Sequence, residues 1–363
     1  MKLQVTQQNL NKALSTVARV ASTRSSLPIL ANVLIKAEKS RLSISATNLD
    51  IAITHHIGSK IDKDGVVTIP ARLTQDFVSN LPDSVLDLTL DGHKLSIETD
   101  KYQSTINGIP ADDFPVMPAI SGGAKWRVEA KEFKKSLSQV VFAASNDDAR
   151  PVLTGVYFNS HRGDVVVAAT DSYRLAENRV GKSKQPINFL VPATAINDVL
   201  RIIAEEDKEV VITHDDQQVS FEMGDVTLVA RLVEGNYPDY RKLLPSKFET
   251  IAKTKRADFA NITKVSSLFA RESAGSVTIN VDKKNSLVSI KAIASQIGEN
   301  TAAASAEVTG GGEVTLNSRY LIDALNAFSG EGVEFCFNGK LEPCILRSTT
   351  EPGYTHLIMP LRS

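Results

Sequence analysis

Cysteine is scarce in this sequence, and long apolar runs are missing. Only two cysteines, Cys336 and Cys344, occur among 363 residues, so a disulfide framework is not expected. No stretch reaches the roughly 20 apolar residues that a membrane-spanning helix needs. The opening segment, MKLQVTQQNL, contains no apolar run of signal-peptide length. These absences predict a cytoplasmic protein that makes no membrane contact and packs its two thiols in the core.

Sequence motifs of catalysis and metal binding are also missing. The sequence contains no GxxxxGKS/T phosphate loop, no GxGxxG after a strand, no HExxH and no GxSxG. Its six histidines have no metal-ligand spacing. An acid/base pair of Asp171 and Tyr173 is a remote alternative, because an aspartate in such a segment usually caps or turns the backbone. The prediction is a protein without enzymatic activity, metal or cofactor.

An internal repeat is the strongest positive signal. Pro28 and Pro151 are 123 residues apart (151 − 28), and Thr47 and Thr170 have the same separation (170 − 47). A fainter third copy aligns LVPATAINDVL with TLNSRYLIDAL. A period this long is typical of tandem domains, because solenoid repeats run to roughly 20–50 residues. The repeat predicts three domains of similar fold, over residues 1–120, 121–245 and 246–363.

Each copy has the same predicted order of elements: a strand, a helix, several alternating strands, a second shorter helix and closing strands. The first helix of each copy has an apolar face at helical spacing. These faces are Leu10, Leu14, Val17 and Val20; Phe133, Leu137, Val140 and Val141; and Phe259, Ile262, Val265 and Phe269. Few connections join parallel strands. The fold class predicted is therefore α+β, with antiparallel sheets and helices on one face.

Positive and negative charge are balanced in total but unevenly distributed. The formal net charge is −1, which by itself argues against nucleic-acid binding because DNA-binding proteins usually have a basic excess. Nine basic residues nevertheless lie on or beside the first helices: Lys12, Arg19, Arg24, Lys131, Lys134, Lys135, Arg256, Lys264 and Arg271. Only Glu132, Asp258 and Glu272 oppose them. The pattern predicts either a basic face for phosphate contact or ordinary solvated helix faces.

Several sequence strings carry a resemblance to a known family. In chain order they are LPILANVLI, ATNLD, IPAR, PADDFP, LTGVYF, ATDSYRLA, YPDYRKLLP and HLIMPLRS. With the three copies, they closely resemble the bacterial DNA polymerase III beta subunits, the sliding clamps. The resemblance implies a head-to-tail homodimeric ring of six domains, with helices around a hole for duplex DNA and sheets outside. The ring would have no enzymatic activity. It would tether the replicative polymerase.

The resemblance also implies contact residues. Partners, including the clamp loader, other polymerases and repair proteins, would dock a short peptide between the second and third domains. The peptide would have a glutamine followed by leucine- and phenylalanine-like anchors. The wall of this pocket would be Leu153, Thr170, Arg174, Leu175, Pro238, Leu243, Tyr320, Met359, Pro360 and Leu361. The apolar majority and the flexible methionine suit varied apolar side chains, although Leu153 and Leu175 could equally be ordinary core.

Further residues are assigned to the DNA and dimer contacts of the ring. DNA contacts would fall on Arg24, Arg72 and Arg150, and the dimer contact on Leu268 and Phe269. A ring that slides should contact phosphates rather than bases, because phosphate contacts carry no sequence information. The alternative function is a ring-shaped scaffold that binds partner peptides without encircling DNA.

Three residue pairs depart from the pattern common in the family. Ser172-Tyr173 stands where a Gly-His pair is frequent, which leaves the peptide preference open. Ala193-Thr194 stands where a basic pair is common, which predicts a weaker grip on DNA at that point. Pro151-Val152 replaces an aromatic pair before Leu153.

Overall fold

The chain folds into two compact units. The computed structural model describes residues 1–21, 27–38, 41–116, 120, 123–296 and 298–362, apart from the side chain of Ala124. One unit comprises Met1–Lys131 with Asn197–Leu232, and the other comprises Glu132–Ile196 with Val233–Ser363. The middle copy of the repeat thus contributes to both units. No helix in these described ranges combines the length and apolar character needed to cross a membrane.

The described residues form six α-helices, five 3₁₀-helices and 25 strands. The α-helices are α1 (Gln7–Val17), α2 (Ala71–Ser79), α3 (Ala130–Ser138), α4 (Ala193–Ile202), α5 (Arg256–Ser267) and α6 (Ser318–Ala327). The 3₁₀-helices are Pro28–Ala31, Val141–Ala143, Pro151–Leu153, Tyr240–Leu243 and Arg271–Ser273. The strands up to the end of α3 are β1 (Lys2–Thr6), β2 (Asn32–Glu38), β3 (Arg41–Thr47), β4 (Ile51–Ile57), β5 (Lys60–Lys63), β6 (Gly65–Pro70), β7 (Val85–Asp91), β8 (Lys94–Glu98), β9 (Gln103–Asn107) and β10 (Ala124–Glu129). The later strands are β11 (Gly155–His161), β12 (Asp164–Thr170), β13 (Arg174–Gly181), β14 (Asn188–Pro192), β15 (Glu209–His214), β16 (Gln218–Met223), β17 (Val226–Arg231), β18 (Thr250–Lys255), β19 (Ser276–Asp282), β20 (Leu287–Ala294), β21 (Gly298–Thr309), β22 (Gly312–Asn317), β23 (Gly332–Phe337), β24 (Cys344–Ser348) and β25 (Thr355–Ile358).

Helix α1 forms as its sequence predicts. The Thr6 hydroxyl accepts the backbone N–H of Asn9 at 3.3 Å and caps the first turn. Leu10, Leu14 and Val17 are fully buried on one face, as their spacing requires. The predicted face of α3 is likewise buried at Phe133 and Leu137. Val140 and Val141 lie beyond the end of the helix at Ser138, where Val140 is buried and Val141 is half-buried.

The predicted apolar face of α5 is partly wrong. Phe259 is buried, but Val265 is 47% exposed, and Ile262 and Phe269 are half-buried. The fully buried positions of the following turns are Thr263 and Ser266 instead. Their hydroxyls can be buried because each has a partner: Thr263 donates to the Phe259 carbonyl at 2.7 Å, and Ser266 bonds Asn300 Oδ1 at 2.9 Å. The helix therefore turns an apolar edge outward.

The first unit contains two antiparallel sheets. Their strand orders are β5-β1-β7-β8-β9 and β10-β15-β16-β17-β4-β3-β2-β6. Strand β17 of the middle copy pairs with β4 of the first copy, and Leu228 lies opposite Ile53. Helix α1 packs against α2 and against strands β3 and β4. The second sheet is thus continuous across the first predicted domain boundary.

The second unit contains one antiparallel sheet of twelve strands. Its order is β14-β11-β12-β13-β25-β24-β23-β18-β21-β20-β19-β22. Leu175 on β13 lies opposite Leu357 on β25, which joins the middle copy to the third. Helix α5 packs against α6, β20 and β21. Antiparallel sheets with packed helices confirm the predicted α+β class. The domain boundaries at 120 and 245 stay a prediction, because both sheets that contain middle-copy strands run across them.

The two cysteines are buried and carry free thiols, as expected. Cys336 packs with Leu175, Tyr240 and Leu357 in one core cluster. Burial raises the pKa of the Cys336 thiol to about 11. At neutral pH the protonated form therefore predominates, and protonated thiols are poor nucleophiles.

Candidate partner-binding cleft and basic surfaces

The second unit has an apolar cleft of about 280 Å³. It is lined by Arg150, Val152, Leu153, Thr170, Ser172, Arg174, Leu175, Pro238, Tyr240, Leu243, Leu357 and Met359. Strand β13, the 3₁₀-helix Tyr240–Leu243 and the segment after β25 supply its walls. Apolar walls with a few polar groups are typical of sites that hold apolar side chains in a fixed orientation.

Seven of the ten predicted wall residues lie together at this cleft: Leu153, Thr170, Arg174, Leu175, Pro238, Leu243 and Met359. Tyr320 lies behind the cleft, with its ring centre 4.7 Å from Cζ of Arg174. Pro360 and Leu361 do not line it. The Leu361 N–H instead donates to the Thr315 carbonyl at 2.8 Å.

Sequence reasoning missed four of the lining residues and assigned a fifth elsewhere. The missed residues are Val152, Ser172, Tyr240 and Leu357, and Arg150 had been assigned to DNA. Two signals were present in the sequence. The first is that Tyr240 belongs to the YPDYR string. The second is that Leu357 is two residues before Met359, which places Leu357 and Met359 on the same side of an extended chain.

A hydrogen-bonded turn shapes one side of the cleft. Asp171 Oδ1 accepts the N–H groups of Tyr173 and Arg174, both at 2.9 Å. The Thr170 hydroxyl accepts the Ser172 N–H at 3.1 Å and donates to the Arg174 carbonyl at 2.6 Å. These bonds hold Ser172 at a positive φ of 78°, which a non-glycine residue adopts at a cost. Asp171 therefore organises backbone, and the acid/base alternative gains no support.

The same turn occurs in the first copy of the repeat. Asn48 Oδ1 accepts the N–H groups of Asp50 and Ile51, and Leu49 has a φ of 81°. The counterpart of Leu153 is Leu30 (153 − 123), which is buried in a cluster with Ile29 and Phe114. The first copy thus shares the backbone turn, and the corresponding leucine is buried in both copies.

Arg174 supports the back of the cleft. Its side chain is only 12% exposed. Its Nε donates to Asp171 Oδ2 at 3.0 Å, its Nη1 to Asp323 Oδ2 at 2.7 Å, and its Nη2 to the Phe142 carbonyl at 2.8 Å. The planar guanidinium also lies over the rings of Phe142 and Tyr320. Because each of its three nitrogens already donates a hydrogen bond, Arg174 fixes the positions of neighbouring segments rather than presenting a free charge.

A neutral histidine is buried next to this network. His356 is fully buried, and its ring stacks on Phe142 with centroids 5.6 Å apart. Its Nδ1 is 3.3 Å from the Tyr354 hydroxyl, and its Nε2 has no partner among the described residues. Burial lowers the pKa of His356 to about 3, and the charge of Arg174 acts in the same direction. His356 is therefore uncharged in the folded protein near neutral pH.

Replacing His356 by phenylalanine is expected to flatten the acid side of the stability profile. Between pH 6.5 and about 3 the unfolded chain binds a proton at this residue that the folded chain does not bind. Folding stability therefore falls as pH falls, by about 2 kcal/mol from pH 7.5 to 5.0. His356→Phe removes this contribution to the pH dependence of folding stability, and urea unfolding at both pH values measures the change. The variant His93→Phe, at an exposed position, is the control. An equal pH dependence of wild type and His356→Phe would contradict the assignment.

A larger cavity, of about 440 Å³, lies beside α1 in the first unit. Its walls carry both signs of charge. Lys12 pairs with Glu206 at 3.4 Å, and Arg201 pairs with Asp198 at 3.2 Å. None of the predicted wall residues lies there, and its walls are much more polar than those of the cleft. The smaller cleft is therefore the better candidate for partner binding.

The basic residues of the first helices differ in their availability. Arg19, Lys131, Lys264 and Arg271 are exposed. Lys135 pairs with Glu351 at 3.0 Å, and Arg256 donates to the Gly330 carbonyl at 3.1 Å. The cationic character of these helices is thus smaller than the sequence count suggests, but exposed cations remain directly after α1, on α3, on α5 and directly after α5.

The three arginines predicted to contact DNA differ in their structural environment. Arg24 lies outside the described residues. Arg72 is exposed in the first turn of α2. Arg150 lines the apolar cleft, where its Nη1 donates to the Ser172 hydroxyl at 3.1 Å.

The residues predicted for the dimer contact lie directly after α5. Leu268 is 53% exposed, and Phe269 is half-buried. Val265 is exposed three residues earlier on the same side of the helix. We call Val265, Leu268 and Phe269 the α5 edge.

Comparisons with known proteins point to one family along the chain. Three domain descriptions match in succession: DNA polymerase III beta subunit, N-terminal domain at residues 1–118, central domain at 127–239 and C-terminal domain at 241–362. The beta sliding clamp of Synechococcus elongatus is 31% identical over 376 residues, covering 100% of this chain and 99% of the relative. That of Synechocystis sp. is 30% identical over 388 residues, with the same coverage.

Solved structures give the same result. The DNA polymerase sliding clamp from Bacillus subtilis superposes with a TM-score of 0.96 at 25% identity, covering 100% of this chain and 99% of that one. The Pseudomonas aeruginosa sliding clamp, solved bound to griselimycin, gives a TM-score of 0.95 at 25% identity with full coverage of both chains.

The fold is that of a DNA clamp built from three tandem domains of similar structure. The chain belongs to the DNA polymerase III beta subunit family. Its function is that of a DNA sliding clamp and replication processivity factor, an accessory subunit of a DNA polymerase without catalytic activity of its own.

Proposed function

We propose that two copies of this chain close head-to-tail into a ring around duplex DNA in the cytoplasm. The α5 edge supplies one half of the contact, and the first domain of the other copy supplies the other half. Exposed cations on the first helices and Arg72 would contact phosphates inside the ring. Such contacts can be weak, because encirclement rather than affinity keeps the protein on DNA.

The apolar cleft is the proposed docking site for partner proteins. These would include the replicative polymerase, the clamp loader, other polymerases and repair proteins that carry a clamp-binding peptide. The observation that carries this proposal is the convergence of seven expected wall residues on one cleft of about 280 Å³. Leu243 is 50% exposed and offers apolar surface there, whereas Leu153, Leu175 and Leu357 line the cleft from the buried core. Met359 can adapt to different side chains. A peptide with a glutamine followed by leucine and phenylalanine is the probe of choice.

Encirclement is tested on circular DNA. Protein loaded onto a nicked circular plasmid is expected to stay bound at moderate salt and to be lost after linearisation by a restriction enzyme. Direct binding to a short linear duplex is expected to be weak and to fall steeply with salt. Gel filtration of labelled protein with plasmid measures retention. Equal loss from circular and linear DNA would favour the alternative of a scaffold that binds peptides without encircling DNA.

The phosphate contact is tested with Arg24→Ala and Arg72→Ala. Each change is expected to weaken direct duplex binding equally for all sequences and to reduce the salt slope by about 1. Arg162→Ala, in the turn between β11 and β12, is the matched control for losing one exposed arginine. Fluorescence anisotropy across a salt series gives the slopes. A strong preference for one sequence would contradict a sliding mechanism.

A further inference from the structure

One wall of the apolar cleft lies outside the sheet. Pro238, Tyr240 and Leu243 line the cleft from the segment that forms the 3₁₀-helix Tyr240–Leu243. Strand pairing fixes β13 and β25, but no strand bonds fix this segment. Its position relative to the sheet must therefore depend on side-chain contacts.

Glu177 supplies such a contact from beneath the cleft. It lies on β13 two residues after Leu175, so both side chains leave the sheet on the same face. Its Oε2 accepts a hydrogen bond from the Tyr240 hydroxyl and a second from Arg241 Nη2, the latter at 2.7 Å. The Glu177 side chain is 17% exposed and is not among the residues that line the cleft. One carboxylate thus holds two consecutive residues of the wall.

Arg241 extends this anchor to a second strand. Its Nη1 donates to Asn159 Oδ1 on β11 at 2.9 Å. Its guanidinium lies over the Tyr240 ring, with Cζ 5.0 Å from the ring centre. The Tyr237 ring packs against the Tyr240 ring in a T-shaped arrangement and stacks on Tyr157 with centroids 4.6 Å apart. The ring that lines the cleft is therefore held at its hydroxyl and by its contacts with the Arg241 guanidinium and the Tyr237 ring.

We propose that Glu177 is a positioning residue for the apolar cleft. Glu177 acts through Tyr240 and Arg241 to hold the wall formed by Pro238, Tyr240 and Leu243 in its binding geometry. This inference rests on the proposed docking function of the cleft. Without the carboxylate, the largely buried Arg241 loses its charge partner and the Tyr240 hydroxyl loses its acceptor. Both groups then lower their free energy by moving toward water, because an unpaired buried charge or donor is costly. Such a movement displaces the wall that the peptide contacts. Burial and the neighbouring charge of Glu177 raise the pKa of Tyr240, so its hydroxyl remains a donor.

The probe is the peptide with glutamine, leucine and phenylalanine, measured by calorimetry against the full-length protein. Glu177→Ala is expected to weaken binding about tenfold, which corresponds to about 1.4 kcal/mol. Tyr240→Phe keeps the ring but removes the hydroxyl, and a loss of about threefold is expected from one missing hydrogen bond. Glu177→Gln keeps an acceptor oxygen and is expected to restore affinity to within about threefold of wild type.

A double-mutant cycle separates positioning from general destabilisation. If Glu177 acts through the Tyr240 hydroxyl, the double variant Glu177→Ala/Tyr240→Phe binds no more weakly than Glu177→Ala alone. Independent effects would instead multiply the two losses. Multiplied losses would overturn the proposed route through Tyr240.

Glu334→Ala is the matched control. Glu334 is also 17% exposed, lies on β23 of the same sheet, and pairs with Lys253 at 3.3 Å and with Arg347 at 2.9 Å. Both alanine variants are expected to lower the unfolding temperature, but only Glu177→Ala should weaken peptide binding. If Glu177→Ala binds the peptide with wild-type affinity, or if Glu334→Ala loses as much affinity as Glu177→Ala, the role of Glu177 is overturned but the docking function of the cleft is not. Wild-type protein that binds no peptide would overturn the docking function together with the inference.

Discussion

Deleting residues 359–363 is expected to abolish peptide binding while leaving the dimer and DNA encirclement intact. Met359 lines the cleft, and its N–H donates to the Tyr173 carbonyl at 2.8 Å. The deletion therefore removes one wall and one bond that holds the Asp171 turn beside it. Strand β25 ends at Ile358, so its pairing with β13 and β24 is retained. The sheet should remain folded without the segment that completes the cleft.

Calorimetry with the peptide decides this prediction. Met359→Ala alone is expected to cost about 1–2 kcal/mol of binding free energy, the scale of a lost apolar anchor. Deletion of residues 362 and 363 is the matched control, because it keeps Met359 and the backbone bond from Leu361 to Thr315. Light scattering and plasmid retention should be unchanged in both truncations. Equal peptide affinity of the wild type and the protein lacking residues 359–363 would move the partner site elsewhere.

Features with a regular spacing were predictable from the sequence. The 123-residue repeat predicted the recurrence of elements, and it extends to the paired turns at Asn48 and Asp171, which have the same hydrogen bonds. The buried faces of α1 and α3 followed from helical spacing because a single apolar stripe was available. The prediction of the buried face of α5 was partly wrong, because Thr263 and Ser266 are buried and their hydroxyls have hydrogen-bond partners. Hydrophobicity alone therefore did not identify the packed face of this helix.

The cleft itself was predictable only in part. Its wall came from strings that resemble a family, so residues outside the matched positions, such as Val152 and Leu357, were missed. The role of Glu177 could not be read from the sequence, because its partners Tyr240 and Arg241 are more than 60 residues away. Contacts at such separations depend on how strands and loops pack. For the same reason the sheets cross the predicted domain boundaries without any signal in composition.

The double substitution of Leu268 and Phe269 by alanine is expected to convert the proposed dimer into monomers. Leu268 exposes half of its surface at the α5 edge, where a partner would remove it from water. Truncating an interface anchor commonly costs 2 kcal/mol or more, so two truncations should weaken dimerisation by about three orders of magnitude. Ile293→Ala, an apolar residue on β20 that is 56% exposed, is the control and should leave the dimer intact.

Light scattering across a concentration series measures this change directly. The monomeric variant should still bind the partner peptide, because the cleft lies within one unit of one chain. It should lose retention on circular plasmid, because one copy supplies only half of the proposed ring. Loss of retention with intact peptide binding would separate closure of the ring from partner docking. An unchanged dimer mass would place the interface elsewhere, since exposed apolar side chains that remain exposed in the dimer contribute nothing to its stability.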